Sequence, residues 1–100
     1  MEIIKNKDGD ELTLCVEGRI DASTAKEFED VVMSSIEGVK TLVFDFGKLD
    51  YTSSAGLRVL LKSQKRMDAQ GGDMIIRKPN EVVIEILEET GFINIFEVEE

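Results

Sequence analysis

Asp50-Tyr51-Thr52-Ser53-Ser54-Ala55-Gly56-Leu57-Arg58 places three consecutive hydroxyls between an apolar strand pattern and an amphipathic helix pattern. A hydroxyl at a helix start has two chemical uses. It can cap the helix by accepting a hydrogen bond from a first-turn N–H. It can also accept a phosphoryl group, whose charge the helix N-terminus and a nearby arginine would stabilise. Ser54 and Arg58 are four apart, as are Arg58 and Lys62, and Lys62 and Arg66. A helix starting near Ser54 therefore carries a basic stripe leading away from that hydroxyl. In the first use, Thr52 or Ser53 caps, Ser54 fills the first turn and the stripe is a solvated face. In the second, Ser54 is a phosphoacceptor, and Gly56 leaves a partner room to approach it.

Asp21, in Gly18-Arg19-Ile20-Asp21-Ala22-Ser23, is a further candidate. It can cap the helix that follows, as can Ser23. Alternatively its carboxylate lies beside the hydroxyl loop, where it orients Ser54 or meets a partner. A carboxylate there would also repel a phosphate and so bias the loop between two states. Enzyme chemistry has little to work with. The chain has no histidine, which removes Ser-His-Asp and Cys-His nucleophile activation and the commonest zinc ligand. Cys15 is the only cysteine, so a disulfide or a cysteine metal cluster within one chain is excluded. It sits in the strand-like run Leu12-Thr13-Leu14-Cys15-Val16 and is expected to be a small core residue. Gly71-Gly72 follows a helix pattern and does not lead into one, so it is a helix stop and not a phosphate cradle. No catalytic residue, metal site or cofactor is expected.

The elements that must position these residues follow from periodicity. Glu2 to Lys7 and Glu11 to Glu17 predict two strands joined by an Asp8-Gly9-Asp10 turn. Gly18 to Ser23 predicts a loop. Ala25, Phe28, Val32 and Ile36 recur at helical spacing, with Gly38 just past the end. Thr41 to Phe46 predicts a central strand buried on both faces. The Ser54 helix runs to about Ala69, with Leu57, Leu60, Leu61 and Met67 inward. Asp73 to Ile76 is a short strand, and Arg77 to Asn80 turns out of it. Asn80 caps a helix holding Val83, Ile86 and Leu87, which Gly91 stops. Phe92, Ile93, Ile95 and Phe96 give a last apolar patch with a short edge strand, and Glu97, Glu99 and Glu100 a solubilising end. Strands alternating with helices predict an α/β domain over residues 1–100, a mixed sheet of about four to five strands with helices packed on it. Sites in such sheets gather at the carboxyl ends of strands, as after Phe46 and Val16.

The chain has 100 residues, 42% of them hydrophobic and 33% charged, which suits one soluble globular domain. No apolar run approaches the ~20 residues of a membrane span. Met1 to Lys5 lacks the features of a secretory signal, so the cytoplasm is the expected location and a membrane is not an expected partner. The net charge of −9 disfavours nucleic acid and favours a basic protein partner. The charge is uneven, however: Ser54 to Met67 holds Arg58, Lys62, Lys65 and Arg66 and no acid.

Gly18-Arg19-Ile20-Asp21-Ala22-Ser23-Thr24-Ala25, then Leu49 to Leu61, then Glu89-Thr90-Gly91-Phe92-Ile93-Asn94-Ile95-Phe96 resemble the anti-sigma factor antagonist family, which is built on the STAS domain. The resemblance spans nearly the whole chain in the right order. It implies a partner-switching protein that itself catalyses nothing. The unphosphorylated antagonist binds an anti-sigma factor, which is also a serine kinase, and so frees a sigma factor. Phosphorylation breaks the complex, and a serine phosphatase of the PP2C type resets it. Many members read Asp-Ser-Ser/Thr-Gly at the motif. Aligned on Gly56, Ser53 here stands at the Asp position, Ser54 at the acceptor and Ala55 at the second hydroxyl. The resemblance thus implies Ser54 as acceptor with Ser53 as its competitor. It implies partner contacts from Asp21, Thr52, Ser53, Ser54, Ala55, Gly56 and Arg58. Apart from the resemblance, the free protein is expected to be a monomer. STAS domains also serve as sensors or scaffolds, so an alternative is a module that binds a nucleotide or other small anion at the same helix N-terminus.

Overall fold

Strand β1 (Glu2–Asp8) turns through Gly9 and Asp10 into β2 (Glu11–Ile20), with Asp8 paired to Glu11. Gly9 takes φ +61°, which a primed hairpin turn demands and a side chain resists. The computed structural model of the chain describes residues Met1–Glu100. The remaining elements are α1 (Ala25–Ser35), β3 (Thr41–Asp45), β4 (Leu49–Thr52), α2 (Ser54–Ala69), β5 (Asp73–Arg77), α3 (Glu81–Thr90), a 3₁₀ turn (Phe92–Asn94) and β6 (Glu97–Glu99).

The sheet has six strands in the order β1-β2-β3-β5-β6, with β4 also against β2. Only the β1–β2 pair is antiparallel. In register across the middle lie Leu12, Leu42 and Met74, and beside them Leu14, Phe44 and Ile76. Period-two alternation sends both rows to one face. There they form a single core with Phe28, Val32 and Ile36, with Leu57, Leu60 and Met67, and with Val83 and Leu87. Phe28 meets Phe44 edge-on with ring centroids 5.7 Å apart, which seats α1 on the central strand.

Four expectations change. β4 is an added strand: its four residues pair parallel with the far end of β2, which makes Gly18 to Ile20 strand and not loop. The register shifts between Gly18 and Arg19, where Gly18 takes φ +96°. Arg77 belongs to β5, where β6 pairs with it. Glu97 and Glu99 are in that edge strand and not a loose end, and Glu99 Oε1 lies 3.2 Å from Arg77 Nε. Cys15 is not in the core. It stands on the opposite face from Leu14 and Val16, half-buried beside Asp45. Burial, and then the Asp45 carboxylate, push its thiol pKa up, away from reactivity.

Asn80 and Gly91 bound α3 as expected. Asn80 Oδ1 accepts from Val83 N–H at 2.8 Å, and Gly91 takes φ +80°. The other end of that amide donates to the Leu49 carbonyl at 3.0 Å. One residue therefore starts α3 and anchors β4, the strand that delivers the hydroxyl loop.

Candidate functional site

The three hydroxyls part company at the junction of β4 and α2. Thr52 pairs with Ile20 and is 1% exposed. Its hydroxyl donates to the Ser53 carbonyl at 3.2 Å. Ser53 N–H donates to the Ile20 carbonyl at 2.8 Å, which extends the β2–β4 ladder by one bond. Ser53 then occupies the N-cap position with extended backbone, and its carbonyl accepts from Leu57 N–H at 3.1 Å. Its hydroxyl does not cap, contrary to expectation: it is buried and without a hydrogen-bond partner. Thr52 does not cap either, because it points inward. Ser54, the first residue of α2, is the exposed hydroxyl of the three. No side chain caps the first-turn N–H groups, and no acid lies in that turn, so the helix end keeps its partial positive charge.

Gly56 serves the interior. A Cβ there would collide with Thr52 Oγ1 and come within 2.8 Å of Ile20 Cγ2. The missing side chain lets the first turn of α2 close onto β2 and β4. The outward room expected of it is corrected to an inward contact.

Arg58 is exposed one turn after Ser54 and forms no ion pair. Lys62, one turn further, reaches across to α1, where Glu29 Oε2 lies 2.9 Å away. Arg66 Nε donates to Gln70 Oε1 at 3.1 Å. The stripe is therefore free next to Ser54 and engaged further along.

Asp21 follows directly on the strand that pairs with β4, so its loop adjoins the hydroxyl loop. It is not the N-cap of α1, and neither is Ser23; Thr24 holds that position. Asp21 Oδ1 instead accepts from Ser23 N–H at 2.9 Å and from Ser23 Oγ at 2.6 Å. Its backbone N–H donates to Thr24 Oγ1 at 2.9 Å. These bonds occupy the carboxylate within its own turn, and it makes none to Ser54. The Ser23 hydroxyl first, and then the Ser23 N–H, hold the Asp21 pKa below its ordinary 3.8. A lowered pKa means these bonds are intact above the ordinary carboxylate range and are lost as pH falls through the lowered value. Carboxyl-carbon NMR should place the Asp21 midpoint below 3.8, and Ser23→Ala should return it towards 3.8.

Two neighbours of this loop escaped the sequence. Arg19 lies over the Tyr51 ring at 4.7 Å, with its Nε 3.7 Å from Asp21 Oδ2. Arg19 and Tyr51 are a cross-strand pair of β2 and β4. No alternation announces them: Leu49 and Thr52 are both buried and Tyr51 between them is half-buried, because the register with β2 skips Asp50. No cluster of three or more metal-ligating side chains occurs, and no helix is long and apolar enough to cross a membrane.

Known proteins share this fold. The STAS domain family model matches residues 2–100. A Bordetella bronchiseptica protein that carries the name of an anti-sigma factor antagonist, BtrV, is 32% identical over 98% of this chain and 85% of its own length. A Thermotoga maritima structure described as that of an anti-sigma factor antagonist superposes with a TM-score of 0.91 at 19% identity, covering 98% of this chain and 86% of the other. The phosphorylated form of the Bacillus cell fate determinant SpoIIAA superposes with a TM-score of 0.77 at 15% identity, covering 99% and 92%. At such identities the two structures speak for the fold alone. The family match, the curated relative and the fold agree: this chain belongs to the STAS domain family, among the anti-sigma factor antagonists.

Proposed function

We propose that this chain is a phosphorylation-controlled antagonist that binds an anti-sigma factor with serine-kinase activity. The unphosphorylated chain holds the anti-sigma factor and so frees a sigma factor. In this cycle Ser54 Oγ attacks the γ-phosphorus of ATP on the partner, ADP leaves, and a base of the kinase takes the hydroxyl proton. A PP2C-type serine phosphatase returns the chain to its binding form. The chain itself contributes no catalytic group, acts in the cytoplasm and is a monomer when free.

One observation carries this reading: of three adjacent hydroxyls, Ser54 alone is exposed, at an uncapped helix start one turn from an unpaired arginine. A phosphate there adds about −1.5 to −2 charges beside unpaired N–H donors, where the fold tolerates it. The relatives agree in kind. The curated one carries an antagonist's name, and a solved relative is described in a phosphorylated form. The contact surface consists of Asp21, Ser54, Ala55 and Arg58, shaped from beneath by Thr52, Ser53 and Gly56.

Incubation with the cognate anti-sigma kinase and ATP, followed by intact-mass and peptide spectrometry, tests this. One phosphate on Ser54 is expected, and none on Ser54→Ala. Phosphate on Ser53 alone would move the acceptor to the buried hydroxyl. Phosphate on neither serine would remove the switch.

A further inference from the structure

We propose that the groove between α1 and α2 seats an acidic helix of the anti-sigma partner, and that phosphate on Ser54 displaces it by taking Arg58. The inference rests on the function proposed above and adds the chemistry of the docked segment. The groove has a volume of about 380 Å³, enough for a few side chains and not for a whole domain. Its floor is Ala25, Ala55 and Val59. Its rim is cationic, with Lys26 from α1 and Arg58 and Lys62 from α2.

That rim runs against the grain of the molecule. The chain carries −9 overall, yet α2 holds four basic residues and a single acid, Asp68. The one acid lining the groove, Glu29, is occupied by Lys62 at 2.9 Å. Lys26 is held only by an exposed contact to Asp30 at 3.4 Å, the kind worth little. Arg58 has no carboxylate at all. A basic partner, as the net charge alone suggests, would meet like charge here. A helix with acidic flanks and a small apolar face matches both rim and floor.

The same geometry explains release. Ser54 and Arg58 are neighbours on one helix face, and Ala55 lines the groove beside them. A phosphate on Ser54 is tethered next to Arg58 and competes for it at a high effective concentration that no separate carboxylate matches. The groove loses its free cation and gains a dianion at its mouth.

Titration of the unphosphorylated chain with the cognate anti-sigma kinase, at low and high salt, tests this. Arg58→Glu and Lys26→Glu alter exposed side chains, and circular dichroism checks that each variant folds. Lys5→Glu, on β1, applies the same charge change outside the site. Each groove variant is expected to weaken binding about tenfold or more at low salt, with a smaller loss at high salt, while Lys5→Glu stays within about twofold. Groove variants that bind like Lys5→Glu, or more tightly than wild type, overturn the acidic helix while wild-type binding and phosphorylation leave the function standing. A wild type that is neither bound nor phosphorylated overturns both.

Discussion

Ser54→Asp is expected to weaken the complex with the anti-sigma factor by at least about tenfold, whereas Ser54→Ala leaves it within about twofold. Tenfold corresponds to about 1.4 kcal/mol. Like charge brought together across an interface costs several kcal/mol, so one carboxylate suffices. The aspartate also pairs with Arg58 one turn on, and takes from the partner the only groove cation that lacks an ion-pair partner. Alanine removes one exposed hydroxyl, adds no charge and favours the helix. Its stability should stay within about 0.5 kcal/mol of wild type. Calorimetric titration of both variants, with thermal melts beside it, checks the pair. Equal losses in both would mean that the hydroxyl itself is the contact, and that charge is not what separates the partners.

Gly56→Ala is expected to cost about 1–3 kcal/mol of stability, as overpacked cores do. That is large for the smallest possible side chain. The added methyl meets Thr52 Oγ1 and Ile20 Cγ2, which are held by the β2–β4 pairing and cannot swing aside. The first turn of α2 must then lift, and Ser54 lifts with it. Each kcal/mol lowers the melting temperature by roughly 4–8 °C in a domain of this size. Combining Gly56→Ala with Thr52→Ala removes the nearer obstacle. The double variant should recover part of the loss, so that the two effects do not add. A purely additive result would place the strain elsewhere.

The same junction separates what was legible in the sequence from what was not. Ser54 and Arg58 could be chosen from helical spacing, because α2 is long and its pattern is local. Asn80 and Gly91 bounded α3 for the same reason: each acts on its own helix end. β4 was missed because four residues carry too little alternation, and its partner is the far end of β2. Missing β4 turned Gly18 to Ile20 into a loop and hid the pairing of Arg19 with Tyr51. Cys15 was misplaced because its neighbours are apolar on both sides. Only the alternation Leu12, Leu14, Val16 reveals that it faces the other way. The capping roles failed differently. Thr52 and Ser53 are good capping types, but the turn of backbone between β4 and α2 directs both hydroxyls inward, and no residue type encodes that direction.

The division of β2 between two parallel partners also orders events in time. The β1–β2 hairpin closes locally, whereas β3 and β4 come to β2 from far along the chain, and the loop-closure entropy of such contacts predicts that they form later. Until β4 docks, Thr52, Ser53 and Ser54 are three equivalent alcohols on a loose segment. Docking hides two and presents one. An enzyme that recognises the docked shape modifies finished molecules and passes over nascent or unravelling ones. Under the function proposed above, a phosphate on Ser54 would then record the number of folded antagonists as well as their state.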